Sequence, residues 1–279
     1  MGNDYKMNLY IMSRGRAGQT TTQKWIPPIW RNRTFFVVPQ NERNEYFKHA
    51  GDVGVLPAPV SVTNYSQKVQ YILTGDLDSH AKAVILDDDL VFSRKSDPTR
   101  PKSLISVKDP EELNGLFETM SLLLNQFPLV GVHPRQMGQD AKTPHVQNGR
   151  IICIQAINRR MIGNVKVDQL PILADVVLNC TLLSRGQANA LITTFFQDHG
   201  PCQAPGGCSI YRTPEMQRAA VEYLANRWPA YVTVVERRPK VAKWMGDVRY
   251  DYRCQWKALY EAGVNFARGG PSVDMEVKR

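Results

Sequence analysis

A four-residue apolar run, Ala83-Val84-Ile85-Leu86, ends in three consecutive aspartates, Asp87, Asp88 and Asp89, and this pairing limits the folds open to the chain more than any other segment. Small and aliphatic residues without helical spacing, bounded by polar ones, read as a fully buried strand. The carboxylates then stand at its carboxyl end, the edge where open α/β sheets bind their ligands. Three like charges crowded there are costly unless something positive neutralises them. Mg²⁺ and Mn²⁺ take hard oxygen ligands, often one or two carboxylates together with substrate phosphates. A strand followed by Asp-x-Asp therefore reads as a site for a metal-bound nucleotide diphosphate. Alternation along an extended chain makes Asp87 and Asp89 the ligand-facing pair and leaves Asp88 to backbone or helix donors. The competing reading is a solvated turn or a helix N-cap.

The flanking segments alternate between strand and helix. Residues 8–12, 34–38 and 53–56 are expected strands, the last two stopped by Pro39 and Pro57, and residues 42–49 and 64–73 suit helices. Crossovers of this length imply a mostly parallel, Rossmann-like sheet. Its ligand crevice falls where the Ser13 loop, the helix opening at Asn64 and the three aspartates converge. Further on, Asp109-Pro110-Glu111-Glu112 is a strong helix start, followed by Leu113, Leu116, Phe117, Met120, Leu124 and Phe127 as a core-facing stripe. Residues 129–132, 151–157 and 190–196 read as strands, and residues 171–183 and the segment from Thr213 to about Arg227 as helices. Residues 232–236 and 249–256 are expected to close the sheet, and the polar stretch 133–150 to be a functional loop. With no internal repeat and no low-complexity linker, one domain over residues 1–279 is the simplest organisation.

Composition narrows the class. A chain of 279 residues with 43% apolar and 22% charged content is ordinary for a globular protein. No apolar run approaches the ~20 residues of a membrane-spanning helix. The first residues, Met1 to Lys6, carry no hydrophobic signal region, so a cytoplasmic location and no membrane partner are expected. Five cysteines, at 153, 180, 202, 208 and 254, form an odd set without C-x-x-C spacing. That disfavours a disulfide framework or zinc site and leaves reduced, mostly buried thiols. The formal net charge of +9 favours a polyanionic partner, although the basic residues are scattered. The densest groups, Arg159-Arg160, Arg237-Arg238 and Lys240 with Lys243, each read more simply as solvated faces.

Three further segments bear on chemistry. The loop Ser13-Arg14-Gly15-Arg16-Ala17-Gly18 lacks both the G-x-G-x-x-G spacing of dinucleotide folds and the G-K-[ST] of a P-loop, which counts against hydride transfer and ATP hydrolysis. Arg14 and Arg16 suit a diphosphate or the edge of a base, or else a plain surface turn. In residues 205–212, Gly206 and Gly207 permit close backbone approach beside a helix start at Thr213-Pro214; the alternative is a tight turn. Cys208 has no implied histidine base and is not expected to be a nucleophile. Asp175, near a helix start, either complements the helix dipole or deprotonates an acceptor hydroxyl. His133, His145 and His199 are isolated, and the first two stand in or beside the long loop where an acceptor would pass.

Taken together, the chain resembles the TET-associated glycosyltransferases of bacteriophages, a branch of the metal-dependent GT-A glycosyltransferases. The resemblance rests on Tyr10-Ile11-Met12-Ser13-Arg14-Gly15-Arg16, Val37-Val38-Pro39 with Glu42 and Tyr46, Leu86-Asp87-Asp88-Asp89-Leu90, Gly206-Gly207-Cys208-Ser209 with Tyr211-Arg212-Thr213, and Gln255-Trp256-Lys257. It spans about Leu9 to Leu259 in the family's order. It implies a GT-A fold with an acceptor-side extension, a nucleotide-sugar half over about residues 7–100 and an acceptor-binding, catalytic half over about residues 101–279. It implies transfer from a nucleotide sugar, most simply a UDP-sugar, to the hydroxymethyl group of a 5-hydroxymethylpyrimidine in phage DNA, in the host cytoplasm. In that picture Asp87 and Asp89 hold Mn²⁺ or Mg²⁺. Ser13, Arg14, Arg16, Lys68, Asp87, Asp88, Gly206, Gly207 and Cys208 bind the donor, and Asp175 is the catalytic base. Met12 stands where the family pattern has proline, Lys68 where it has arginine, and the Leu173-Ala174-Asp175 segment matches its acidic acceptor-side motif only loosely. The competing functions are a GT-A enzyme acting on a saccharide or protein, and a nucleic-acid-binding protein without catalysis.

Overall fold

A computed structural model describes residues 7–75, 81–97, 100, 102–200, 204–238 and 248–273. Cys202, Lys240, Lys243 and residues 1–6 lie outside them. The strands are β1 (Met7–Met12), β2 (Thr34–Pro39), β3 (Gly54–Ala58), β4 (Lys82–Asp87), β5 (Leu90–Lys95), β6 (Leu104–Ser106), β7 (Leu129–Pro134), β8 (His145–Gln147), β9 (Ile154–Asn158), β10 (Asn189–His199), β11 (Val232–Arg237) and β12 (Arg249–Cys254). The helices are α1 (Pro28–Arg31), α2 (Arg43–His49), α3 (Tyr65–Thr74), α4 (Asn114–Leu123), α5 (Ala174–Ser184), α6 (Pro214–Arg227) and α7 (Trp256–Ala267).

Ten strands form one sheet in the order β3-β2-β1-β4-β9-β7-β10-β5-β6, with β8 against β10. β1 to β4, β7, β10 and β6 run one way, and β9, β5 and β8 run against them. The fold is thus α/β with a Rossmann-like, mostly parallel central sheet. Period-two alternation divides its two cores. Leu9, Ile11, Val84 and Leu86 pack with Trp30, Tyr46, Phe117 and Met120 on one face. Tyr10, Met12, Ala83 and Ile85 pack with residues of α3, α5, α6 and α7 on the other.

Local sequence explains several boundaries. Asn64 caps α3 by accepting the Gln67 N–H, and Thr213 caps α6 by accepting that of Met216. Asp109 and Glu112 complete a capping box, after which the chain makes a 3-10 turn and then α4, burying Leu113, Leu116, Phe117, Met120 and Leu124 completely. Other expectations change. Residues 151–153 stay off the sheet because the backbone turns at Cys153, φ +62°, and β9 starts one residue later. β11 and β12 do not close the main sheet but pair with each other as a separate antiparallel ribbon packed on α6. Alternation marks a strand without choosing its partner, and the mostly exposed β11 needs only one covered face. The short β8 lies within the stretch expected to be a functional loop, and the sequence reading does not mark β5, β6, α1 and α7. Among the described residues no helix is long and apolar enough to cross a membrane.

Candidate active site

β1 and β4 are parallel neighbours with Met12 opposite Asp87. β2 and β3 extend the sheet beyond β1, and β9, β7 and β10 extend it beyond β4. The chain therefore leaves the two strand ends in opposite directions and opens a crevice between them, the switch point at which such sheets bind ligands. A cleft of about 260 Å³ lies there, bordered by Ser13, Arg14, Arg16, Lys68, Asp87, Asp88, Asp89, Asp175, Gly206, Gly207 and Cys208.

Alternation sorts the three aspartates. Asp88 continues the side of Leu86 and meets Ser13, which continues the side of Ile11. The Ser13 hydroxyl donates to Asp88 and shares a 2.5 Å hydrogen bond with Tyr46 Oη. Arg16 Nη1 donates to Asp88 Oδ1 at 2.5 Å and to Asp89 Oδ2 at 3.2 Å. Asp88 is thus held by two side chains and not, as expected, by backbone or helix donors. The reason is register: β1 brings its own loop alongside the turn after β4. Burial raises the Asp88 pKa, opposed by the Arg16 charge and the Ser13 hydroxyl.

The remaining donors of Arg16 face protein as well, Nε to Pro205 O at 2.8 Å and Nη2 to Ala204 O at 3.4 Å. The Gly207 N–H returns a bond to Arg14 O at 2.8 Å. Gly206 sits at φ +90°, where a Cβ would collide with the Arg16 side chain, so only glycine lets these loops meet. Arg14 donates to Thr63 O at 2.6 Å and lies over the Tyr211 ring, 5.6 Å from its centroid. Tyr211 Oη accepts the Tyr65 N–H at 2.9 Å and lies 3.2 Å from Cys208 Sγ, which fixes Cys208 as a wall residue. Lys68 Nζ donates to Ser13 O at 2.9 Å; burial pushes its pKa down to about 8.

Asp87 continues the face of Ile85, toward α5. Burial first, then the charges of Asp89 and Asp175, push its pKa up to about 8, eased by a hydrogen bond with Cys153. Asp175 stands in the first turn of α5, where burial raises its pKa and the Val176 N–H, Arg150 and Arg212 oppose the rise. Leu173 precedes that turn at φ +66°, so α5 starts from a left-handed residue without a side-chain cap. Cys153 and Leu173 are both non-glycine residues at positive φ, and both border the cleft beside these two acids. Backbone held in so costly a region is a frequent mark of functional sites.

His199 borders the cleft, whereas His133 and His145 do not. Sequence reasoning assigned no role to Arg150, Arg212, Tyr65 and Cys153, all cleft residues. Arg212 lies within the Gly206 to Thr213 segment already singled out, but the other three had no motif to mark them.

Among the described residues no three His, Cys, Asp or Glu side chains gather into a ready-made metal site. The donor chemistry nevertheless fits Mg²⁺ or Mn²⁺. Asp87 is a carboxylate whose charge its surroundings disfavour, and Asp89 adds a second hard oxygen donor on the same cleft. These ions commonly take two carboxylates and fill the rest of their shell with water and substrate phosphates.

No protein-family model matches the sequence, and no curated protein matches it. Among solved structures, mannose-1-phosphate geranyltransferase from Thermus thermophilus superposes with a TM-score of 0.43 at 10% identity, covering 69% of this chain and 76% of that chain. A likeness at that level says nothing about the reaction.

Proposed function

We propose that the protein is a metal-dependent glycosyltransferase of GT-A type that moves a sugar from a nucleotide sugar, most simply a UDP-sugar, to the hydroxymethyl group of a 5-hydroxymethylpyrimidine in DNA. The observation that carries the reading is the pairing at the switch point. Asp87 and Asp89 stand beside the Ser13 loop and Lys68, and Asp175 borders the same cleft. Mn²⁺ or Mg²⁺ held by Asp87 and Asp89 would offset the charge of the departing diphosphate. Lys68 adds a positive charge at the Ser13 loop, and Arg14 presents a guanidinium over Tyr211 for the nucleotide. Asp175, whose buried carboxyl has a raised pKa, takes the proton of the acceptor hydroxyl. The bond from the anomeric carbon to the donor phosphate breaks, the bond to the acceptor oxygen forms, and the nucleoside diphosphate leaves. The net charge of +9 suits a polyanionic acceptor better than a neutral saccharide. A base inside a duplex would have to leave the stack to reach the cleft.

The test is mass spectrometry of nucleosides digested from 5-hydroxymethylcytosine DNA after incubation with the protein, Mn²⁺ and a panel of UDP-sugars. A sugar mass on the modified base is expected, absent with EDTA, with unmodified DNA and with Asp89→Ala, whose thermal unfolding should match wild type. Normal turnover by Asp89→Ala would sink the metal role. Donor hydrolysis without DNA product would move the acceptor to another class.

A further inference from the structure

Two arginines of the cleft have no part in the mechanism above. Arg150 follows β8 and precedes β9, and Arg212 immediately precedes the N-cap of α6. Both Nε atoms are buried and have no hydrogen-bond partner among the described residues. Arg150 is held by ring contact, its guanidinium 5.3 Å from the Tyr252 centroid, with Asp251 and Asp175 as charged neighbours. Arg150 also has a hydrogen bond with the Tyr252 side chain, so what each arginine lacks is an acceptor for its Nε–H, and a buried N–H left unpaired carries a cost. Both side chains line the cleft, where a ligand that brings acceptor atoms would meet their guanidinium groups. The guanidinium fork, with its parallel donors, matches a phosphate.

Position favours the acceptor as the source of that phosphate. The partners of the donor diphosphate gather at the ends of β1 and β4, around Ser13, Lys68, Asp87 and Asp89. Arg150 and Arg212 both neighbour Asp175, Arg212 standing beside Cys208 and Tyr211 as well, and Asp175 is the group that meets the acceptor hydroxyl in the proposed reaction. We propose that Arg150 and Arg212 form an anion subsite beside Asp175 that takes a backbone phosphate of the acceptor, so that the acceptor is recognised as a nucleotide in a strand and not as a free nucleoside. This assignment rests on the glycosyltransferase reading.

The experiment compares the affinities of 5-hydroxymethyl-2′-deoxycytidine and its 3′- and 5′-monophosphates by titration calorimetry in the presence of UDP and Mn²⁺. Wild-type protein should bind one monophosphate roughly tenfold more tightly than the nucleoside, the scale of a charge-assisted hydrogen bond. Arg150→Met and Arg212→Met should each cut that preference to about twofold, with nucleoside and UDP affinities unchanged. Should a methionine variant fail to fold, Arg150→Lys and Arg212→Lys keep the charge, lose the fork, and should retain part of the preference. Equal binding of nucleoside and monophosphates by wild type, or a preference that survives undiminished in the variants, overturns the subsite and leaves the glycosyltransferase reading standing. UDP affinity falling in step with nucleotide affinity would hand the arginines to the donor. Binding of UDP with none of the three acceptor probes would overturn the hydroxymethylpyrimidine acceptor, and the subsite with it.

Discussion

Arg16 Nη1 lies 2.5 Å from Asp88 Oδ1, and the same side chain bonds the carbonyls of Ala204 and Pro205, so one arginine ties the acidic turn after β4 to the glycine loop that follows β10. Asp88 is only 3% exposed. Its charge is acceptable there because Arg16 and Ser13 meet it together.

Removing one partner of a buried pair typically costs about 3 kcal/mol or more when it strands the other charge; Arg16 would keep its 3.2 Å contact with the more exposed Asp89, which sets the loss at the lower end of that range. Asp88→Ala is therefore expected to lower stability by about 3 kcal/mol in urea unfolding. Asp88→Asn should cost less because it keeps an acceptor for Ser13. Loss of under ~0.5 kcal/mol in the alanine variant would show that the pair does not brace the turn.

Gly206 and Gly163 make an internal comparison, since both adopt positive φ but only Gly206 abuts Arg16. Gly163→Ala should cost about 1 kcal/mol, the ordinary penalty for a left-handed alanine, and leave nucleotide binding intact. Gly206→Ala carries that penalty and also displaces Arg16, so it should cost more and weaken UDP binding about tenfold or beyond. The check is calorimetric titration of UDP against both variants. Matching affinities would mean that Arg16 is free to move.

Much of this was legible in the sequence because local patterning settles it. The strand expected over residues 83–86 is β4 (Lys82–Asp87), and the Asp109 capping box has both of its arms. The site was less legible for reasons of register and backbone. Ser13 reaches Asp88 because β1 pairs with β4 in one particular alignment, which the two segments do not carry separately. Asp175 comes to Asp87 through a helix that starts at a left-handed Leu173, where no polar cap residue announces the start. Arg150 lies at the end of a polar stretch, and its burial depends on Tyr252 from a ribbon far along the chain. The sheet could be read in segments, whereas the cleft exists only once they are assembled.

Lys68 offers a pH test with a defined sign. The residue is 6% exposed, and its pKa is pushed down to about 8 from an ordinary lysine value of 10.5, chiefly by burial. Below pH 8 folded and unfolded chains both hold the proton, and the folded state bears the cost of burying the charge. Between about pH 8 and 10.5 the unfolded chain is still protonated while folded Lys68 is neutral, so stability rises with pH across that window. Wild type should accordingly gain stability relative to Lys68→Met between pH 8 and 10, with a constant difference below pH 7, in urea unfolding at fixed ionic strength. Nucleotide binding should run the other way. A diphosphate needs the ammonium form, so UDP affinity measured with Mg²⁺ should fall through the same window in wild type but not in Lys68→Met. A parallel fall in the variant would assign the loss to another group, and a flat stability difference would show that the amine is better solvated than its burial implies.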